Sequence, residues 1–172
     1  MFGVLKRLFA PHIRDSNPIL LVIAENKDTQ DTISRDFESL GCKVVSALSG
    51  KNARQSLEKS PLPDLIILDF IFSSDEDGPS MFRQFRLDKR FSSIPVIPIP
   101  FSLNDDLVTG GIKSIGVLPT RPTQLTTTPY GLLFSVAQAL NNANIRLPIT
   151  FREKLHTLTR LIADGTNPEN SK

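Results

Sequence analysis

Residues 64–70 read Asp64-Leu-Ile-Ile-Leu-Asp-Phe70. The aliphatic residues between the two aspartates are continuous and do not alternate with polar ones. The strand they form is therefore covered on both faces, as in a parallel sheet with helices above and below. Ser60-Pro-Leu-Pro63 breaks the chain before this run, and the polar loop Ser73–Gly78 follows it. Asp69 then stands at the carboxyl end of a buried strand.

The same pattern repeats outward in both directions. Upstream, Ile19-Leu-Leu-Val-Ile23 is a second continuous apolar run. Residues 27–40 carry Ile33, Phe37 and Leu40 at helical spacing, and Gly41 closes that helix. Lys43–Leu48 is a short strand and Lys51–Lys59 a helix. Downstream, Pro79 starts a helix that runs to about Leu87 with Met81, Phe82 and Phe85 apolar. Ile94–Pro100 is a fourth strand, Leu103–Ile115 a helix weakened by Gly110-Gly111, and Gly116–Pro119 a short fifth strand. Residues 129–143 form a helix with Leu132, Leu133, Val136, Ala137 and Leu140 on its apolar side. Strict alternation of this kind gives an α/β fold, (βα)5, with a doubly wound parallel five-stranded sheet. Function in such sheets gathers at the carboxyl ends of the strands. The positions to inspect are Ala24-Glu25-Asn26, Asp69 and its loop, Pro100–Ser102, and Thr120-Arg121-Pro122.

Composition narrows the function classes. The chain has 172 residues, a formal net charge of +2, 40% apolar and 22% charged residues, which suits one globular domain with extensions. The small net charge gives no reason to expect nucleic-acid binding. Cys42 is the single cysteine, so no intramolecular disulfide forms, and it reads as a small buried side chain. His12 and His156 lie far apart, and no Cys/His zinc cluster exists. No run approaches the ~20 apolar residues of a membrane span. A cytoplasmic location is the expectation.

Three stretches resemble hallmark segments of the receiver domain of bacterial two-component response regulators: Pro63-Asp-Leu-Ile-Ile-Leu-Asp69, Phe91-Ser-Ser-Ile-Pro-Val-Ile97 and Leu118-Pro-Thr-Arg-Pro122. The resemblance covers about residues 18–143 and implies a flavodoxin-like fold. It also implies a phosphoacceptor aspartate, an acid pair after the first strand that helps hold Mg²⁺, a Thr or Ser after the fourth strand, and a Lys after the fifth. Phosphoryl transfer in such a site works by charge neutralisation and positioning.

On that pattern Asp69 falls at the phosphoacceptor. The acid pair falls on Ala24 and Glu25, so one carboxylate is missing. Glu25 and Asp69 are the remaining Mg²⁺ candidates. The hydroxyl position falls on Pro100, which has neither hydroxyl nor backbone N–H; Ser102 comes two residues late. The Lys position falls on Arg121, which keeps the charge but not the reach. The loop after Asp69 lacks the family's usual proline and is one residue longer, ending at Gly78. An Asp69–Arg121 pair is one structural alternative to phosphorylation. The expectation is a degenerate receiver, or pseudo-receiver: a non-enzymatic module without a cofactor that binds protein partners, such as a histidine kinase or a scaffold. The alternative is a phosphoryl-accepting single-domain regulator that uses Asp69 and Mg²⁺.

The ends divide from this domain at residues 17 and 145. Residues 1–10 place Phe2, Leu5 and Phe9 on one helical face opposite Lys6-Arg7, before Pro11. This reads either as a weak anchor at the inner membrane face or as a helix docked on protein. Residues 145–172 hold a linker, a helix at about Thr150–Ala163 and a polar tail. Phe151, Leu155 and Leu158 give that helix an apolar face for self-docking, a partner or a homodimer. Thr150 with Glu153 reads as a capping box. Finally, Pro98 and Pro100 in the fourth strand each remove a ladder donor, so that strand is expected to pair incompletely or to be distorted.

Overall fold

The structure is a computed structural model that describes residues 17–59, 61–70, 72, 78–99 and 129–164. Four strands form one sheet: β1 (Ile19–Ile23), β2 (Lys43–Ala47), β3 (Leu65–Asp69) and β4 (Val96–Ile99). Their order is β2-β1-β3-β4, and every pairing is parallel. Five helices accompany them among the described residues: α1 (Lys27–Ser39), α2 (Gly50–Lys59), α3 (Gly78–Leu87), α4 (Pro129–Asn142) and α5 (Ile149–Ala163). The expected five-stranded sheet is thus four-stranded among the described residues. The expected helix Leu103–Ile115, the fifth strand Gly116–Pro119 and the N-terminal helix of residues 1–10 lie outside them.

Continuous apolar strands have the consequence their sequence implies. Leu65, Ile66, Ile67 and Leu68 are all fully buried. The pleat sends Leu65 and Ile67, with Leu20, Val22, Ile97 and Ile99, into the core beneath α1, α4 and α5. It sends Ile66 and Leu68, with Leu21, Ile23 and Val96, into the core beneath α2 and α3. Helices on both faces make the sheet doubly wound. Each such side chain, fully buried, stabilises the fold by about 1.5–3 kcal/mol as an upper bound.

The helices start and stop where local chemistry allows. The Asn26 side chain caps α1 by accepting from the Thr29 N–H at 3.0 Å. Ser49 does the same for α2, its Oγ accepting from the Asn52 N–H at 3.2 Å. At the other end of α1, the Cys42 N–H donates to the Phe37 carbonyl and the Gly41 N–H to the Glu38 carbonyl, both at 3.0 Å. This double closure needs a left-handed residue, and Gly41 supplies it with φ +87°.

The proline expectation for β4 fails on the side facing β3. Pairing there is regular from Ile66↔Val96 to Asp69↔Ile99, with Pro98 opposite Leu68. The reason is alternation. The Ile66 N–H donates to Pro95 O at 2.9 Å and the Phe70 N–H to Ile99 O at 2.7 Å, so odd-numbered residues of β4 turn their polar groups towards β3. Pro98 lacks its N–H on the other side of the strand, where β3 does not need it. Pro100 lies outside the described residues.

The C-terminal helix is not a separate appendage. Phe151 and Leu158 are buried in the α1/α4 core, and Leu155 packs against it. The Phe151 ring meets Phe37 at a centroid distance of 5.9 Å. Thr150 does not cap α5, as its sequence context suggests. The helix begins at Ile149 behind Pro148, with no side-chain cap. The Thr150 hydroxyl instead donates to the Leu40 carbonyl at the end of α1, at 2.7 Å. Phe151, Leu155 and Leu158, expected as interaction residues, are therefore engaged within the chain.

Candidate functional site

The strand order places β1 and β3 side by side at the centre, with the chain crossing to β2 on one side and β4 on the other. The carboxyl ends of β1 and β3 thus flank the switch point, where such sheets form their sites. Register carries the geometry outward. Ile23 pairs with Leu68, so Ala24 and Asp69 are the next residues along, on strands about 5 Å apart.

Asp69 closes β3 and is one of two buried polar or charged residues among those described, at 8% exposure. Alternation puts its side chain on the same side as Leu65 and Ile67, towards α1 and α4. Its backbone is held from both directions. Ile99 pairs with it across the sheet, and Gly78, the first residue of α3, packs on its carbonyl. A Cβ at Gly78 would sit 2.5 Å from Asp69 O and would also strike the Phe70 Cα. Only glycine permits this approach, so the longer loop after Asp69 still returns the chain to the same backbone.

Ala24 is fully buried, and its N–H donates to Ala47 O at 3.1 Å. It brings a methyl group to the place where the resemblance has an acid. Glu25 is exposed beside it, and Asn26 is committed to capping α1. The donor set for a divalent cation is thus one buried carboxylate and one exposed carboxylate of different reach. Among the described residues no group of three or more His, Cys, Asp or Glu side chains is arranged to hold a metal ion. Set beside the Mg²⁺ site that the resemblance implies, this pair is one carboxylate short, Ala24 standing in its place. Pro100, Ser102 and Arg121 lie outside the described residues, as do Phe2, Leu5 and Phe9.

One residue near this end of the sheet was not singled out by its sequence. Gln30, in the first turns of α1, is 2% exposed, and its Nε2 has no hydrogen-bond partner. It shares a stripe with Ile33 and Phe37 at positions i, i+3 and i+7. That spacing is the signal that could have found it, because a polar residue on the apolar stripe of a helix is buried with the rest. A buried orphan donor costs about 1–3 kcal/mol.

Two further groups are structural. Arg86 of α3 donates through Nη1 to the carbonyls of Ser92 (2.6 Å) and Ile94 (2.9 Å) and lies over the Phe82 ring. It ties α3 to the turn that leads into β4, and burial lowers its pKa. The Cys42 thiol is pushed up to about 12 by burial, which makes it a poor nucleophile at neutral pH.

No family model matches the sequence, and no curated protein matches it. Solved structures do match. The chemotaxis protein CheY4 of Vibrio cholerae superposes with a TM-score of 0.59 at 18% identity, covering 73% of this chain and 100% of that one. A response regulator receiver protein from Pseudomonas putida gives 0.58 at 20% identity, over 75% and 99% of the two chains. A two-component response regulator from Clostridium difficile gives 0.58 at 22%, over 74% and 99%. The parallel β2-β1-β3-β4 sheet, covered on both faces, is the flavodoxin-like fold of response regulator receiver domains.

Proposed function

We propose that this chain is a receiver-type module of two-component signalling that has lost the ordinary phosphoryl cycle and acts by binding protein partners. The observation that carries this reading is Ala24: a fully buried methyl beside the strand-end carboxylate of Asp69. Phosphoryl transfer onto an aspartate brings negative charge towards a negative group, and a divalent cation is the usual means of offsetting it. Two carboxylates of unequal exposure, Glu25 and Asp69, supply a weaker cage than three. The chain then acts without catalysis, from the cytoplasm, and residues 1–10 remain the candidate for contact with the inner membrane face.

The competing reading is phosphoryl acceptance on Asp69. It draws support from the retained strand-end carboxylate and from Gly78, whose close packing keeps the Asp69 backbone in place. Calorimetric titration with MgCl₂ separates the two. The pseudo-receiver reading expects no saturable heat in the millimolar range for the natural chain, and a gain of binding in Ala24→Asp. Saturable Mg²⁺ binding by the natural chain that disappears in Asp69→Ala would favour the competitor.

A further inference from the structure

The formal net charge of the chain is only +2, but among the described residues the charge is not evenly placed. On the α1/α5 side of the sheet it balances: Lys27, Arg35, Arg152, Lys154 and Arg160 are offset by Asp28, Asp31, Asp36, Glu38 and Glu153. The α2/α3 side is different. Lys51 and Arg54 of α2, Arg83 and Arg86 of α3, and Lys89 and Arg90 of the following turn face Glu58 and Asp88 as the carboxylates of these elements.

The two helices form one surface. The Arg54 guanidinium donates to Gln84 Oε1 at 2.6 Å across the gap between them. Glu58 of α2 is within electrostatic reach of Arg90. The two acids are already occupied. Asp88 holds Arg90 through a pair at 2.7 Å, and Glu58 adds to the same charge. Lys51, Arg83 and Lys89 are exposed, and no ion pair joins them to a described carboxylate. Leu87, 79% exposed and the most exposed large hydrophobic residue described, ends α3 one turn after Arg83 and two residues before Lys89.

We infer that the α2/α3 face is a docking surface for an acidic segment of another protein, with Lys51, Arg83 and Lys89 meeting its carboxylates and Leu87 meeting an apolar side chain. Unpaired cations around a single apolar anchor suit a partner that brings both opposite charge and an apolar residue. A protein is favoured over nucleic acid because an exposed Leu87 beside these cations has no apolar counterpart on a phosphate backbone, and the buried rings of Phe82, Phe85 and Phe91 offer no stacking platform for single-stranded bases. This surface is separate from the strand-end site and would serve whether or not Asp69 accepts a phosphoryl group. The acidic run Asp75-Glu76-Asp77, which precedes α3 in sequence, lies outside the described residues.

The test is a titration of the full chain into a fluorescein-labelled peptide rich in Glu and Asp with leucine at helical spacing, followed by anisotropy. Duplex DNA and phosphatidylserine vesicles serve as parallel probes. The paired change Arg83→Glu with Lys89→Glu should weaken peptide binding by roughly tenfold or more, and raising the salt should weaken it in the natural chain. Arg152→Glu with Arg160→Glu, on the balanced side, should leave binding unchanged, and Leu87→Ser should weaken it with little change in salt dependence. Urea midpoints establish that each variant is folded. If the double reversal unfolds the chain, Lys51→Gln with Arg83→Gln takes its place. No peptide binding, equal loss in both charge pairs, or tighter binding of DNA or vesicles than of peptide would overturn the inference.

Discussion

At the scale of single residues, the strand-end site is defined by what Ala24 lacks and by how Asp69 is held. Gly78 makes the second point testable. Gly78→Ala forces a methyl into the Asp69 carbonyl and the Phe70 backbone, and overpacking of this kind costs about 1–3 kcal/mol. Urea unfolding should show that loss, and ¹⁵N–¹H spectra should show shifts centred on Asp69 and Phe70 rather than on α5. Gln30 gives the opposite sign. Gln30→Met removes a buried donor without a partner and should stabilise the chain by about 1–2 kcal/mol, read as a higher urea midpoint at unchanged m-value. Cys42 sets a pH dependence. Its thiol, pushed up from 9.0 to about 12 in the folded chain, keeps its proton where the unfolded chain has lost it. Stability therefore falls as pH rises from about 9 towards 12, by up to about 1.4 kcal/mol per pH unit. The natural chain should show this slope in urea titrations against Cys42→Ala, and the variant should lose that part of it. Ala24 was readable in the sequence because it follows a strand at the position where the resemblance places an acid. Gln30 was not, because helical spacing shows itself through the apolar residues, and a polar member of the same stripe does not mark itself.

At the scale of elements, the C-terminal helix is where local pattern and structure diverge. Thr150 with Glu153 has the spacing of a capping box, yet Thr150 finds the Leu40 carbonyl, a partner 110 residues away that local pattern cannot see. Gly41 completes the joint. Its positive φ closes α1, and a Cβ there would meet Pro148 Cβ at 3.0 Å and Thr150 Oγ1 at 3.3 Å. The end of α1 and the start of α5 thus share one glycine. Phe151→Ala should cost about 3–5 kcal/mol, the range for a fully buried aromatic residue. Removal of residues 145–172 should expose Phe37 and the neighbouring core and give a chain that binds a hydrophobic dye. Both are measured by denaturant unfolding and dye fluorescence, and a truncated chain as stable as the whole would contradict the docking of α5. The β4 prolines teach a related lesson. The positions of Pro98 and Pro100 suggested incomplete pairing or distortion, but parity decides the effect at Pro98, which falls on the side that β3 does not use.

At the scale of the whole molecule, the doubly wound sheet was legible because continuous apolar runs such as Asp64–Phe70 can be satisfied only between two layers of helices. The order β2-β1-β3-β4 follows from crossovers that switch direction once, and it brings Ala24 and Asp69 side by side. The uneven charge was not legible. A net charge of +2 is a sum over both faces, and only the fold assigns Lys51, Arg83 and Lys89 to one of them. The central proposal concerns what the switch point can do. The most direct measurement is intact-protein mass spectrometry after incubation of the natural chain with acetyl phosphate and Mg²⁺, beside Asp69→Ala. The expected result is an unchanged mass for both. A phosphoryl mass increase on the natural chain, labile to hydroxylamine and absent from Asp69→Ala, would contradict the loss of the phosphoryl cycle.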